Sequence, residues 1–505
     1  MHDISHLLST NAPPQPLEIP LVQSEIDSRV EIIERLQREL TNYRGVLSPL
    51  RRLPLEVLGE IFAVALDTVE RAVDVPDQLV QVTLVCRSWR SAALATPRLW
   101  SRLGIDFKQS THCFDKARLW LSRAGTVPRT LVLNPSAYHR HGYSQDPRTH
   151  DCPLLNPGLE ALLTEGHIGR LSAFCGLPSC FNRPLERIGL TGSVGDRPWD
   201  VIQTLELNLH WNSQLLAHVP STVRSLFLGF YNGDEDFRIQ DNPQMRSLLT
   251  KLTQLAFGLP WPTALEKSVL ALCNNLQVLT LNINIDAHKY FDNAGVDFDT
   301  GATISLPHLR RLSIQDVTAE YPILRSLHTP ALRELDLEFY CEEFYYGITE
   351  DPKGAVREIA SFIERSQCSE TLKRVRLASM RIDAEGLESF LQMLPPITHL
   401  TLDYITAPSQ FFKSPTTHQQ KLLPCLEVFG WFHARQDTQV EHICEYFSRR
   451  LQHNHGIPLK KLTMELDPGT QPAPALQNHY LRDLKDHGVD VDIHEVTIQR
   501  PSTVL

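Results

Sequence analysis

A chain that performs chemistry must bring acids, bases, nucleophiles or metal ligands together at workable spacings. The densest such group here is Tyr138-His139-Arg140-His141, with His150 and Cys152 following. Imidazole and thiolate are the usual ligands of zinc, but zinc takes them from a knuckle or from one helix face at fixed spacing. This segment offers neither, so it reads as a polar loop; His453 and His455 read as another, at a helix end. No metal site and no cofactor are expected. A Gly-rich phosphate loop, a GxSxG elbow and an HExxH helix are missing from the sequence. The expectation is a protein that is not an enzyme. An enzyme built on the histidine segment is the competing reading, and it predicts bound metal.

Charge and aromatic residues gather elsewhere. Glu334, Asp336 and Glu338 alternate with leucines, and Arg374 and Arg376 alternate with Val375 and Leu377 further on. Alternate residues of a strand share one face, and parallel strands lie about 4.8 Å apart, so these acids and arginines can pair laterally. One reading is mutual neutralisation, about 0–1 kcal/mol per exposed pair. The other is a charged stripe that reads a partner. Phe339-Tyr340-Cys341-Glu342-Glu343-Phe344-Tyr345-Tyr346 places aromatics beside acids on a loop, a composition typical of protein-recognition surfaces, although some of these rings must cover a core. Trp431 and Phe432 pose the same choice. The candidate partner-binding residues are therefore Glu334, Asp336, Glu338, Tyr340, Phe344, Tyr345, Arg374 and Arg376.

The elements that position them form a repeat. An apolar residue, two others, an apolar residue, one other and an apolar residue recur in ten places: Ile202-Leu205-Leu207, Val223-Leu226-Leu228, Leu252-Leu255-Phe257, Leu276-Leu279-Leu281, Leu309-Leu312-Ile314, Leu332-Leu335-Leu337, Leu372-Val375-Leu377, Ile397-Leu400-Leu402, Leu426-Phe429-Trp431 and Leu459-Leu462-Met464. Weaker copies stand at Leu131-Leu133, Ile168-Leu171 and Leu185-Ile188-Leu190, and Val489, Val491 and Ile493 alternate like a last strand. Between units, Ala264 to Cys273, Ala355 to Glu364, Ala384 to Leu394 and Val440 to Leu451 read as helices. Strand, helix, strand with one-sided apolar strands predicts a parallel sheet backed by helices. The array resembles a degenerate leucine-rich repeat. The asparagine usual three residues beyond each unit stands only at Asn284; Tyr340, Met380, Ile405 and Ala434 occupy that place in other copies. The inner turns must then be satisfied some other way, and an ordinary α/β domain with leucine-rich strands is the alternative.

The N-terminal part is different. Pro13, Pro14, Pro16 and Pro20 predict a disordered leader over 1–22. Ser24 starts an amphipathic helix over 23–46, with Ile26, Val30, Ile33, Leu36 and Leu40 at three- and four-residue steps. It can pair with another copy as a short coiled coil or fold back onto the next domain; barely three heptads favour folding back. A helical module follows over 47–105. Pro54 opens a helix carrying Leu55, Leu58, Ile61, Phe62 and Ala65, with Val57 and Val64 widening the stripe so that more than one face is covered. Asp67 to Pro76 is a polar connector. Asp77 caps a second helix with Leu79, Val82, Val85 and Cys86, and Trp89, Ala92 and Ala93 continue into a third, ended by Pro97.

Three blocks of this module, Leu53-Pro-x-Glu-x-Leu-x-x-Ile-Phe62, Leu84-Val-Cys-Arg-x-Trp89 and Pro97-x-Leu-Trp100, resemble an F-box in the form common in large fungal F-box families. The long connector departs from the compact form. The resemblance implies binding to a Skp-type adaptor and, through it, to a cullin–RING ubiquitin ligase. By that resemblance Leu53, Pro54, Leu58, Ile61, Phe62, Leu84, Val85, Trp89, Leu99 and Trp100 build the module and its apolar docking surface, without a division between the two roles. The repeats, over 106–496 and followed by a tail over 497–505, would then hold a protein substrate. The fold class expected is α/β: a small all-helical module followed by an irregular leucine-rich-repeat-like solenoid. A binding scaffold tethered by its F-box, with no ubiquitination role, is the alternative.

Composition sets outer limits. With 505 residues, a 42% hydrophobic fraction and a net charge of −10, the chain is an ordinary globular protein with an acidic balance that argues against nucleic-acid binding. Ten scattered cysteines without a CxxC pair read as reduced thiols. No secretory signal or run of about 18 apolar residues is evident, so no membrane association and a cytoplasmic or nuclear location are expected.

Overall fold

The computed structural model describes residues 5–9, 13–69, 71–106, 113–134, 156–164, 167–173, 201–210, 219–231, 243–258, 268–282, 303–317, 323–339, 352–380, 382, 384–405, 410–413, 422–434, 440–452, 459–466 and 479–495. It divides into two compact units: Met1–Arg102 with Arg123–Gly125, and Leu103–Ser122 with Thr126–Leu505.

The first unit is helical. Helix α1 spans Ser5–Ser9 and α2 spans Ile19–Val46. The leader was expected to stay irregular up to residue 22, but Pro20 falls in the first turn of α2, where a missing N–H costs nothing. The helix therefore starts ahead of Ser24. It buries none of its residues, so the expected packing against the next domain is not seen among the described residues. Then come α3 (Leu55–Asp67), α4 (Val75–Val85), α5 (Arg87–Ala95) and a single 3-10 turn at Pro97–Trp100. Pro54 stands immediately before α3, as read from the sequence. Helix α4 begins at Val75 and not after Asp77, which lies in its first turn. The connector before it is less polar than expected, because Val69 and Ala72 are buried.

Among the described residues of the second unit, fourteen strands form one sheet: β1 (Arg102–Asp106), β2 (Arg129–Asn134), β3 (Ile168–Ala173), β4 (Thr204–His210), β5 (Ser225–Tyr231), β6 (Gln254–Gly258), β7 (Val278–Asn282), β9 (Arg311–Val317), β11 (Glu334–Phe339), β12 (Arg374–Ala378), β13 (His399–Asp403), β14 (Val428–Ala434), β15 (Lys461–Leu466) and β16 (Asp490–Glu495). From β2 onward each strand pairs in parallel with the next in this order. A second sheet joins β8 (Ile304–Ser305) to β10 (Leu327–His328). Residues 103–105, read as the end of the helical module, fall in β1, on the repeat side of the division.

All ten apolar triplets lie on or just before a strand, and every one of their residues is at most 6% exposed. The helix Pro352–Ser366 shows what covers them. It buries Ala355, Val356, Ile359, Phe362 and Ile363, the one-sided stripe of a 3.6-residue period, and leaves polar residues outward. The helices Ala384–Met393 and Val440–Gln452 do the same where helices were read from the sequence. Thiols belong to this core: burial pushes Cys273 and Cys444 up to about 12 and Cys368 up to about 11.

Without an asparagine ladder the repeats close their turns by two backbone devices. Entering the main-sheet strands from β4 to β14, one carbonyl accepts two N–H groups from the following repeat. Arg310 accepts from Arg333 and Glu334, Arg333 from Lys373 and Arg374, and Lys373 from Thr398 and His399; Arg224, Thr253, Gln277, Thr398 and Glu427 repeat the motif. Leaving the strands, Ser379, Tyr404 and His433 take left-handed backbone angles (φ 57°, 47° and 49°). The N–H of Ser379 then donates to the Asp403 carbonyl at 2.8 Å and that of Tyr404 to the Phe432 carbonyl at 3.1 Å. Met380 and Ile405, which stand where asparagine was sought, are buried apolar residues. The left-handed residues cost about 1 kcal/mol each, and the extra hydrogen bonds and apolar burial offset that cost.

Candidate functional site

Two surfaces carry the residues singled out from the sequence. The first is on the helical module. Apolar residues were read over more than one face of α3, and the structure divides them into two stripes. Leu58, Phe62 and Leu66, four residues apart, face inward, while Val57, Ile61 and Val64 are 44%, 45% and 66% exposed. Helix α4 splits likewise: Val75 and Leu79 are buried, whereas Val80, Leu84 and Val85 are 44%, 75% and 59% exposed. Of the ten module residues, Leu58, Phe62, Leu99 and Trp100 thus form its interior, Leu53 and Trp89 are half-buried, and Pro54, Ile61, Leu84 and Val85 face outward.

That interior is closely fitted. The Phe62 and Trp89 rings lie 4.9 Å apart at a 52° tilt. Trp100 Nε1 donates to the Ala93 carbonyl at 2.8 Å, which satisfies its buried polar atom. The Thr96 hydroxyl donates to the Ala92 carbonyl, and it sits where a Cβ on Gly59 would be, at 2.1 Å. Gly59 is what lets α3 approach the end of α5. The inner stripe is thus spent on folding, and the outer one has no partner within the module. Exposed aliphatic side chains recurring at helical spacing mark a contact surface.

The second surface is the open face of the sheet. Register puts Glu334 opposite Arg311 and Arg374, and Asp336 opposite Ser313 and Arg376. Arg374 reaches Glu334 at 2.6 Å, with Arg311 on its other side at 3.7 Å. Arg376 forks between Asp336 at 2.8 Å and Asp403 at 2.6 Å, with Glu338 at 3.7 Å. Ala378, opposite both Glu338 and Asp403, presents only a methyl group between those two acids. The row continues beyond Arg376: Asp403 meets His433 Nδ1 at 2.8 Å, and the His433 ring stacks on Tyr404 at 4.0 Å. The lateral pairing of acids and arginines is therefore realised.

Three acids about one guanidinium set the electrostatics. Burial would ease the proton off Arg376, but its hydrogen bonds to Asp336 and Asp403 outweigh that and raise its pKa. The Glu338 carboxyl is raised as well, first by burial and then by Asp403 and Asp336, against the pull of Arg376. His399 is lowered by burial and by Arg374. Within this row the carboxylates and guanidinium groups are paired with one another, and the Ser313 hydroxyl donates to Asp336 at 3.1 Å.

Asp403, His433, Tyr404 and Ser313 were not picked out from the sequence. Register was the missing signal: Asp403 sits one repeat beyond Ala378 on the same level, and His433 follows Phe432, the register partner of Asp403, with a left-handed backbone. Tyr340, Phe344, Tyr345 and the histidine segment from Tyr138 to Cys152 lie outside the described residues. Trp431 is core: it is 1% exposed and packs on Phe412 at 5.5 Å. Phe432 is half-buried and lies over Gly430, whose missing Cβ would meet its ring at 2.8 Å. Among the described residues no cluster of His, Cys, Asp or Glu is placed to hold a metal ion, and no helix is long and apolar enough to cross a membrane.

No curated protein sequence matches the chain. Among solved structures it is similar to the leucine-rich repeat-containing protein LegL7 from Legionella pneumophila, at 13% identity and a TM-score of 0.33, over 65% of this chain and 93% of that one. The model of the F-box-like family matches residues 50–106. That span holds all three motif blocks and both stripes of α3, and it is an F-box-like domain followed by a leucine-rich-repeat-like array of parallel strands.

Proposed function

We propose that this protein is the substrate-recognition subunit of a Skp–cullin–F-box ubiquitin ligase. The F-box-like domain would bind a Skp-type adaptor through the outward side chains of α3 and α4, with Ile61, Leu84 and Val85 at the centre. The repeats would hold a target protein against the charged row of Glu334, Asp336, Glu338, Arg374 and Arg376, assisted by Tyr340, Phe344 and Tyr345. The chain's contribution to catalysis would be positional: it raises the effective concentration of the target near a ubiquitin-charged enzyme and supplies no acid or base. A reducing compartment, cytoplasm or nucleus, fits this role and the buried thiols.

The observation that carries the reading is the F-box-like match at residues 50–106 together with a second, outward apolar stripe on α3. The test must spare the interior, so Leu58 and Phe62 are unsuitable targets. Ile61→Asp with Leu84→Asp is expected to reduce co-purification with a Skp-type adaptor by at least about tenfold, equivalent to about 1.4 kcal/mol, while the thermal melting of the chain is unchanged. Undiminished co-purification would rule this surface out. In a reconstituted ligase the wild-type chain is expected to promote ubiquitination of proteins captured by its repeats. Adaptor binding without any such transfer would favour a tethered scaffold instead.

A further inference from the structure

Helix α2 exposes what a helix normally hides. Its 28 residues bury nothing, yet Ile19, Ile26, Ile33, Leu36, Leu40 and Tyr43 are each about half exposed or more, at 54%, 48%, 52%, 53%, 50% and 72%. Written as heptads from Ile19, the helix is four complete repeats. Ile19, Ile26, Ile33 and Leu40 take position a; Val22, Arg29, Leu36 and Tyr43 take position d. The outward b, c and f positions are polar beyond the first turn, except for Gly45: Ser24, Asp27, Ser28, Glu31, Glu34, Arg35, Arg38, Thr41 and Asn42. The longer helix therefore supplies the fourth heptad that the sequence reading lacked, and a seam sustained over four heptads is the mark of a coiled coil.

We propose that α2 pairs with α2 of a second copy of this chain as a parallel, in-register two-stranded coiled coil. Isoleucine at three of four a positions, with Leu36 at d and no isoleucine there, fits two parallel strands. The charges fit the same register. Glu39 at g and Arg44 at the following e pair between chains only when the helices run parallel and unshifted. Arg29, the one charged seam residue, is held by Glu25 of its own helix at 2.8 Å and fixes register as a polar seam residue does. A helix of 28 residues is about 42 Å long, enough for a seam with no help from the rest of the chain. The pairing uses no residue of the proposed adaptor surface, so it stands or falls separately from the ligase reading.

Light scattering on the full chain tests this directly. A mass twice the 57.4 kDa of the chain at micromolar concentration is expected, and a mass of one chain, or of three or more, overturns the proposal. Ile26→Asp with Ile33→Asp is expected to halve the mass without altering the melting of the rest of the chain; a dimer that survives these changes overturns it. Orientation has its own readout. Leu36→Cys is expected to form an interchain disulfide on mild oxidation, beyond any background from the native cysteines, and the outward control Glu31→Cys is not. A persistent dimer in which Leu36→Cys fails to cross-link overturns the parallel register.

Discussion

Gly59 shows how one missing methyl group holds two helices together. A Cβ there would meet the Thr96 hydroxyl at 2.1 Å and the Thr96 Cβ at 3.2 Å. Gly59→Ala is therefore expected to destabilise the F-box-like domain by about 1–3 kcal/mol, as overpacking does, even though alanine is the better helix former. Thermal melting checks this, and Gly59→Ala with Thr96→Ala should recover part of the loss. The charged row gives a second expectation at this scale. The folded-state pKa of Glu338 is raised, so the folded chain keeps that proton to higher pH than the unfolded chain does. This group therefore favours folding at low pH, and its contribution is lost as pH rises through the raised value. Glu338→Gln is expected to leave the chain as stable or up to about 1 kcal/mol more stable at neutral pH, with the advantage shrinking on acidification. Melting temperatures of variant and wild type across pH 4 to 7 would show it. Nothing in the sequence announced either result: Gly59 reads as a weak helix residue, and Glu338 reads as one more acid beside an arginine.

Whole elements were more legible than single residues. The ten apolar triplets located the strands because a buried residue leaves a hydrophobic mark in the sequence, and all of them are buried. Helical spacing was a weaker guide on α3, where apolar residues cover more than one face; only packing against α5 tells Leu58 from Ile61. Proline misled at α2, since position within a helix decides its cost. The strand entrances hold a feature that no periodicity reveals. Arg310, Arg333 and Lys373 precede β9, β11 and β12, which are neighbours in the sheet. All three side chains are exposed, and none is ion-paired among the described residues. Like charges at neighbouring positions repel, by about 0.2–1 kcal/mol. Arg333→Gln is expected to raise the melting temperature in low salt, and the gain should fade at about 0.5 M salt, where the screening length falls to a few ångströms. An equal gain at both salt concentrations would point to some cause other than repulsion.

At the scale of the molecule, the two units follow different rules. The helical one is a small closed fold whose interior residues cannot be exchanged for its outward ones. The sheet is a sum of like steps, each bonded to the one before and the one after, which is why its class and the pairing of acids with arginines could be read from the sequence while the further partners Asp403 and His433 could not. The two-donor carbonyls at the strand entrances make those steps interchangeable. Cutting out residues 373–397 would bring the amides of Thr398 and His399 to the Arg333 carbonyl, where those of Lys373 and Arg374 now bind. Such a shortened chain is expected to melt cooperatively with its circular dichroism scaled down, not abolished. Built this way, the protein behaves like a ladder from which a rung can be taken: its reach is set by how many steps are kept, and a lineage can lengthen or trim the array without redesigning the fold.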